Sequence, residues 1–291
     1  MQSFAAAIRS KDFVITAGLS LPQDASATEI RNRVHVLRDF VDSVQIDDDY
    51  AARGSVDSIA VAAIALSEGV DPIVHMSCRD RNKIALRAAL VGATVIGVSS
   101  VLLARGEKIP EQMRGKVKGV FDTTATQLIQ LARQIGGAPG GDEGALHVGT
   151  FAPVIRPPEG WMAERITDKI TAGAKFIQTR PCLNATVLQR YMQRIVELGI
   201  PRRLSIIVDV PLMTSADAIR RIGEEYPSVR IPGSVARRIA SAARPEHEGA
   251  LACGEFIATL RDVPGVAGAN IVGSPDPGLT VAAIERSRAA P

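Results

Sequence analysis

At 291 residues, 46% hydrophobic and 22% charged, the chain is long enough for one large domain with a substantial core. Its net charge of +3 comes from scattered basic residues, and only 4% of side chains are aromatic, which argues against nucleic acid and suits small anionic ligands. No apolar stretch reaches the ~20 residues of a membrane span, the start MQSFAAAIRSKDF lacks a signal-peptide pattern, and Cys78, Cys182 and Cys253 cannot all pair, so a cytoplasmic, membrane-free location is expected.

Short β-like runs alternate with helical patterns along the whole chain. DFVITAGL (12–19) precedes a helix over 27–40, DSVQI (42–46) one over 55–69, and DPIVHM (71–76) one over 82–93. TVIGVSSVLL (94–103) is read as the fourth strand, followed by a helix over 126–135. ALHVGTF (145–151), KFIQT (175–179) and RLSIIVDV (203–210) precede helices over 162–174, 184–199 and 215–226. VAGANIVG (266–273) is the last strand and 279–288 the closing helix. Near-continuous Val/Ile strands are buried on both faces, as in a parallel sheet wrapped by helices. Eight such units predict a single-domain (β/α)8 TIM barrel over residues 1–291, with GGAPGGDEG (136–144) a loop within it. No strand is followed by GxGxxG, so a Rossmann sheet lacks its fingerprint.

A TIM barrel keeps its chemistry at the carboxyl ends of its strands. DPIVHMSCRDRN (71–82) therefore delivers His75 and a polar run to that face, where Asp80 or Asn82 can also cap the next helix. His75 is open to a structural or a functional reading. Asp47, Asp48 and Asp49 offer oxygen ligands, but no HxH or HxxE accompanies them, so no metal is expected. Adjacent loop acids are more often solvated or capping, and Cys78 reads as a buried, inert thiol. Asp209 stands apart. A carboxyl inside LSIIVDVPL must be paired or must hold its proton against desolvation.

DPIVHMSCRDRN, GATVIGVSSVLLARGE, AGAKFIQTRPCLN and VDVPLM, in this order, resemble the methylenetetrahydrofolate reductase family over about residues 12–288. The resemblance implies a barrel that binds FAD and passes a hydride from NAD(P)H to a folate-type substrate, 5,10-methylenetetrahydrofolate. It places His75, Arg105, Gly106, Phe121, Phe151 and Lys169 around the flavin, with Gln45 standing where the family has a threonine. Arg180 replaces a pterin-contacting glutamine and Ser215 a folate-stacking aromatic residue, so both are assigned to substrate. The family's strand-1 glutamate, which supports protonation of substrate, is Gly18 here, and the aspartate of its RGD-like turn is Glu107. If the reaction is kept, Glu107 or Asp209 must supply the acid. Two other readings stay open: the same barrel acting on another anionic substrate, and a non-catalytic subunit. Homo- or hetero-oligomeric assembly through the outer helices is compatible with all three.

Overall fold

The computed structural model describes residues 2–49, 52, 54–135, 145–225, 229, 231–272 and 274–289; the glycine-rich stretch 136–144 lies outside them. Eight strands, β1 (Val14–Gly18), β2 (Ser43–Ile46), β3 (Pro72–Ser77), β4 (Ser100–Ala104), β5 (His147–Ala152), β6 (Phe176–Thr179), β7 (Ser205–Pro211) and β8 (Gly268–Val272), pair in parallel in chain order. β8 returns to β1 through the register Val14↔Gly268 to Ala17↔Ile271, closing the barrel. The expected TIM barrel is the observed fold.

The helices are α1 (Phe4–Ser10), α2 (Ala27–Leu37), α3 (Ser58–Ser67), α4 (Lys83–Val95), α5 (Ala125–Arg133), α6 (Glu164–Ala172), α7 (Ala185–Glu197), α8 (Ala216–Glu225), α9 (Gly233–Ala240), α10 (Pro245–Leu260) and α11 (Pro277–Ala289). Polar side chains start several of them by accepting otherwise orphaned backbone N–H groups: Ser26, Asp57, Asn82, Thr124 and Asn184. Outward strand residues meet the inner helix faces in two apolar shells. Val44, Val74, Val101 and Leu103 pack with Val34, Leu86 and Leu90 on one side. Ile177, Val208 and Ile271 pack with Leu188, Ile195, Ile257 and Ile284 on the other.

The inward residues divide the barrel lengthwise. Val14, Ile73, Leu102, Phe176 and Ile207 fill the amino end, which α1 closes by inserting the fully buried Phe4 against Phe176, ring centroids 5.1 Å apart. Asp71 anchors this plug by accepting the Phe4 N–H at 2.7 Å. With that end closed by α1, the connected polar cluster lies at the carboxyl ends of the strands.

Three features depart from the sequence reading. The α1 plug carries no strong helical signal. Thr94 and Val95, read as strand, finish α4, because Gly97 (φ 96°) turns the chain and lets Val98 N–H cap the Ala93 carbonyl. Between β7 and β8 the chain adds α9 and α10, and α10 approaches the β7 exit so closely that a Cβ at Gly249 would lie 1.7 Å from the Met213 carbonyl oxygen.

Candidate active site

Five inward side chains form a closed hydrogen-bonded ring across the mouth floor. Thr16 Oγ1 donates to Asn270 Oδ1 at 2.9 Å, and Asn270 Nδ2 donates to Asp209 Oδ1 at 2.8 Å. Gln178 also hydrogen-bonds the Asp209 carboxyl. Gln45 Nε2 completes the circuit, donating to Gln178 Oε1 at 2.7 Å and to Thr16 Oγ1 at 2.9 Å. All five residues are buried. Desolvation is the main influence on Asp209 and pushes its pKa up to about 8; the Asn270 bond and the Arg180 charge pull it back only in part. Asp209 thus holds its proton at neutral pH, as its place in an apolar strand requires.

His75 stands on this floor with both ring nitrogens engaged, Nε2 with Gln45 Oε1 at 2.9 Å and Nδ1 with Asp47 Oδ1 at 3.1 Å. Its ring meets Phe151 edge-on, centroids 5.8 Å apart. Over Phe151 lies the Arg180 guanidinium, 4.3 Å from the ring centroid, and Arg180 reaches across to Glu107 at 2.5 Å. Lys169 from α6 donates to the Phe151 carbonyl, also at 2.5 Å. Burial, with Arg165 and Arg180 nearby, lowers the pKa of that ammonium. His75, Gln45, Phe151, Lys169, Arg180, Glu107 and Asp209 therefore form one connected cluster.

The other assigned residues sit apart from it. Arg105 lies over the Phe121 ring at 4.8 Å, and Phe121 takes a left-handed backbone, φ 46°. Gly106 (φ 88°) passes so close to the β3 exit that a Cβ there would sit 2.8 Å from that of Arg79 and 3.1 Å from that of Ser77. Ser215 caps α8, its hydroxyl accepting the Ala218 N–H at 3.1 Å. The CRDRN run serves the scaffold. Arg79, 1% exposed, bonds Asp80 and the Asp49 carbonyl, Arg81 pairs with Asp48 at 2.6 Å, and Asn82 caps α4. Burial raises the Cys78 pKa to about 11, in keeping with an inert thiol.

Sequence reasoning passed over Thr16 and Asn270 and read Asp48 as an ordinary loop acid. The available signal was positional: Asn270 interrupts the apolar run of β8, and Asp209 interrupts β7 in the register that faces it.

A closed parallel barrel with a buried acid, amides and cations at the carboxyl ends of its strands defines the class: a TIM-barrel protein whose polar groups gather where such barrels keep their sites. A sequence profile described as Methylenetetrahydrofolate reductase matches residues 3–260, and the chain belongs to that family. No curated protein sequence matches it. Among solved structures, an uncharacterized protein from Clostridium thermocellum that binds two copies of 5-methyl-5,6,7,8-tetrahydrofolic acid is similar over 97% of this chain and 96% of that one, at 13% identity and TM-score 0.71. That likeness speaks for the fold. Yersinia pestis DHPS with a pterine-sulfa conjugate overlays more loosely, at 14% identity and TM-score 0.49 over 96% and 95% of the two chains.

The family typically uses FAD and NAD(P)H. Here Phe151, Lys169, His75 and Gln45, which the resemblance places around a flavin, are engaged with neighbouring groups. Arg180 covers Phe151, Lys169 is bound to the Phe151 carbonyl, and His75 and Gln45 are turned into the floor. In this arrangement they do not offer an isoalloxazine an open face.

Proposed function

We propose that the protein reduces a folate-bound one-carbon unit, passing a hydride from NAD(P)H to 5,10-methylenetetrahydrofolate and releasing 5-methyltetrahydrofolate. The observation that carries this reading is Asp209, a buried carboxyl protonated at neutral pH on the mouth floor of a barrel of this family. The reaction needs such a group. The bond from N10 to the methylene carbon breaks as N10 takes a proton, leaving an iminium at N5. The hydride then adds to that carbon, forming the methyl group and NAD(P)+. Asp209 gives the proton and regains one from water before the next turnover. Arg180 supplies positive charge for the substrate's carboxylates.

Anaerobic assays of NADH and NADPH oxidation with 5,10-methylenetetrahydrofolate test the reading. The expected result is folate-dependent oxidation with 5-methyltetrahydrofolate formed in equal amount. A protein that binds neither folate overturns it. Gly18, standing where the resembling family has its acid, favours a second reading, a folate-binding protein without turnover. That reading predicts tight binding of 5-methyltetrahydrofolate with no oxidation.

A further inference from the structure

We infer that Arg180 occupies the face of Phe151 against which a flavin ring would stack, and that it makes this barrel a member of its family that works without resident flavin. A guanidinium is planar, and at 4.3 Å from the Phe151 centroid it takes the layer that a stacked ring needs. The opposite demand, that Arg180 swing away, breaks its 2.5 Å pair with Glu107. One Lys169 N–H is already given to the Phe151 carbonyl, which holds the ammonium against β5. His75 cannot turn to a flavin without giving up Gln45 or Asp47. A flavin contact to Phe151, Lys169 or His75 thus competes with one the chain already makes, which weakens its hold at this part of the mouth.

This inference stands whichever substrate the mouth takes, because flavin binding is measured by itself. The experiment titrates FAD into the full-length wild type, Arg180→Gln and Glu107→Gln, following quenching of FAD fluorescence, with circular dichroism confirming that each variant is folded. Wild type is expected to purify colourless and to show no saturable FAD binding at micromolar concentrations. Arg180→Gln uncovers Phe151 and removes both the ring contact and the ion pair, so its FAD affinity should rise about tenfold or more. Glu107→Gln only loosens Arg180 and should gain less. Wild type that retains stoichiometric flavin or binds it at micromolar concentration overturns the inference. So does an Arg180→Gln protein, folded, whose FAD affinity is no higher than that of wild type.

Discussion

Asn270 donates its side-chain N–H to Asp209 at 2.8 Å across the β7–β8 seam, where the two residues are direct register partners. The bond stabilises the ionised carboxyl and so opposes the desolvation that pushes the Asp209 pKa up to about 8. Asn270 in turn accepts from Thr16, so the acid is tuned through β1 as well as β8.

If Asp209 is the proton donor, turnover should fall as pH rises through about 8, when the native carboxyl loses its proton. Asp209→Asn should lower kcat by roughly 10²–10⁴-fold and abolish that alkaline limb. Asn270→Ala removes a bond that favours the charged form, so it should move the limb to higher pH. A limb that stays in place in both variants assigns the proton to another group.

The neighbouring acids Asp47 and Asp48 should behave differently on stability. Asp48 is 5% exposed and receives the Ser77 N–H at 2.7 Å while pairing with Arg81. Asp48→Ala leaves that buried donor unmatched and should cost roughly 1–3 kcal/mol in a denaturant titration. The Asp47 side chain is 58% exposed and meets buried His75 at Nδ1, on the mouth edge of the ring, so Asp47→Ala should cost less than Asp48→Ala. Equal losses in the two variants would remove Asp48 from the scaffold.

That pair shows where the sequence was legible and where it was not. Unbroken Val/Ile runs announced the barrel because a strand buried on both faces has no polar side to show. Asp209 announced itself because a charge in such a run demands an explanation. Thr16 and Asn270 are neutral, and a neutral polar residue in a short strand looks like tolerated variation until its partner across the seam is known. Asp48 and Asp47 differ by one position in an acidic run, and only the path of the loop decides which turns inward. The α1 plug was hidden because its contacts, Phe4 with Phe176 and His147, join segments far apart in the chain.

His147 should make the amino end of the barrel acid-sensitive. Its ring stacks on Phe176 at 5.3 Å, its buried Nε2 has no partner among the described residues, and desolvation, the leading cause, lowers its pKa to about 4. The unfolded chain takes up a proton near 6.5 and the folded one only near 4, so this site's contribution to stability is lost as pH falls between them. Asp209 works in the opposite sense over the same range, so the comparison must be with a variant and not with wild type alone. His147→Phe keeps an aromatic face and removes the titration. Between about pH 7 and pH 4.5, it should gain roughly 1–2 kcal/mol on wild type, read from paired unfolding curves. A difference that does not change with pH would place His147 in a more solvated setting.

The vacant acid position supplies the sharpest test of the proposed chemistry. Gly18 ends β1 two residues beyond Thr16, so it shares Thr16's inward face one step nearer the mouth. A Cβ built there meets nothing closer than the Ile271 carbonyl oxygen at 3.5 Å and Val272 Cγ1 at 3.9 Å, which is ordinary contact, and Gly18 is not among the residues with positive φ. A glutamate can therefore stand at this position without displacing the backbone. Gly18 is also the register partner of Gln45, which places the new carboxyl beside the floor ring that holds Asp209. Gly18→Glu should raise 5,10-methylenetetrahydrofolate reduction in a protein of low activity. Introduced into Asp209→Asn, it should recover a tenfold or larger part of the roughly 10²–10⁴-fold loss, because either carboxyl can then deliver the proton. The double variant's pH profile should follow the new, less deeply buried acid and turn down at lower pH than wild type. A Gly18→Glu protein that is folded, binds folate, and rescues nothing in the Asp209→Asn background would show that proton supply is not what limits this barrel.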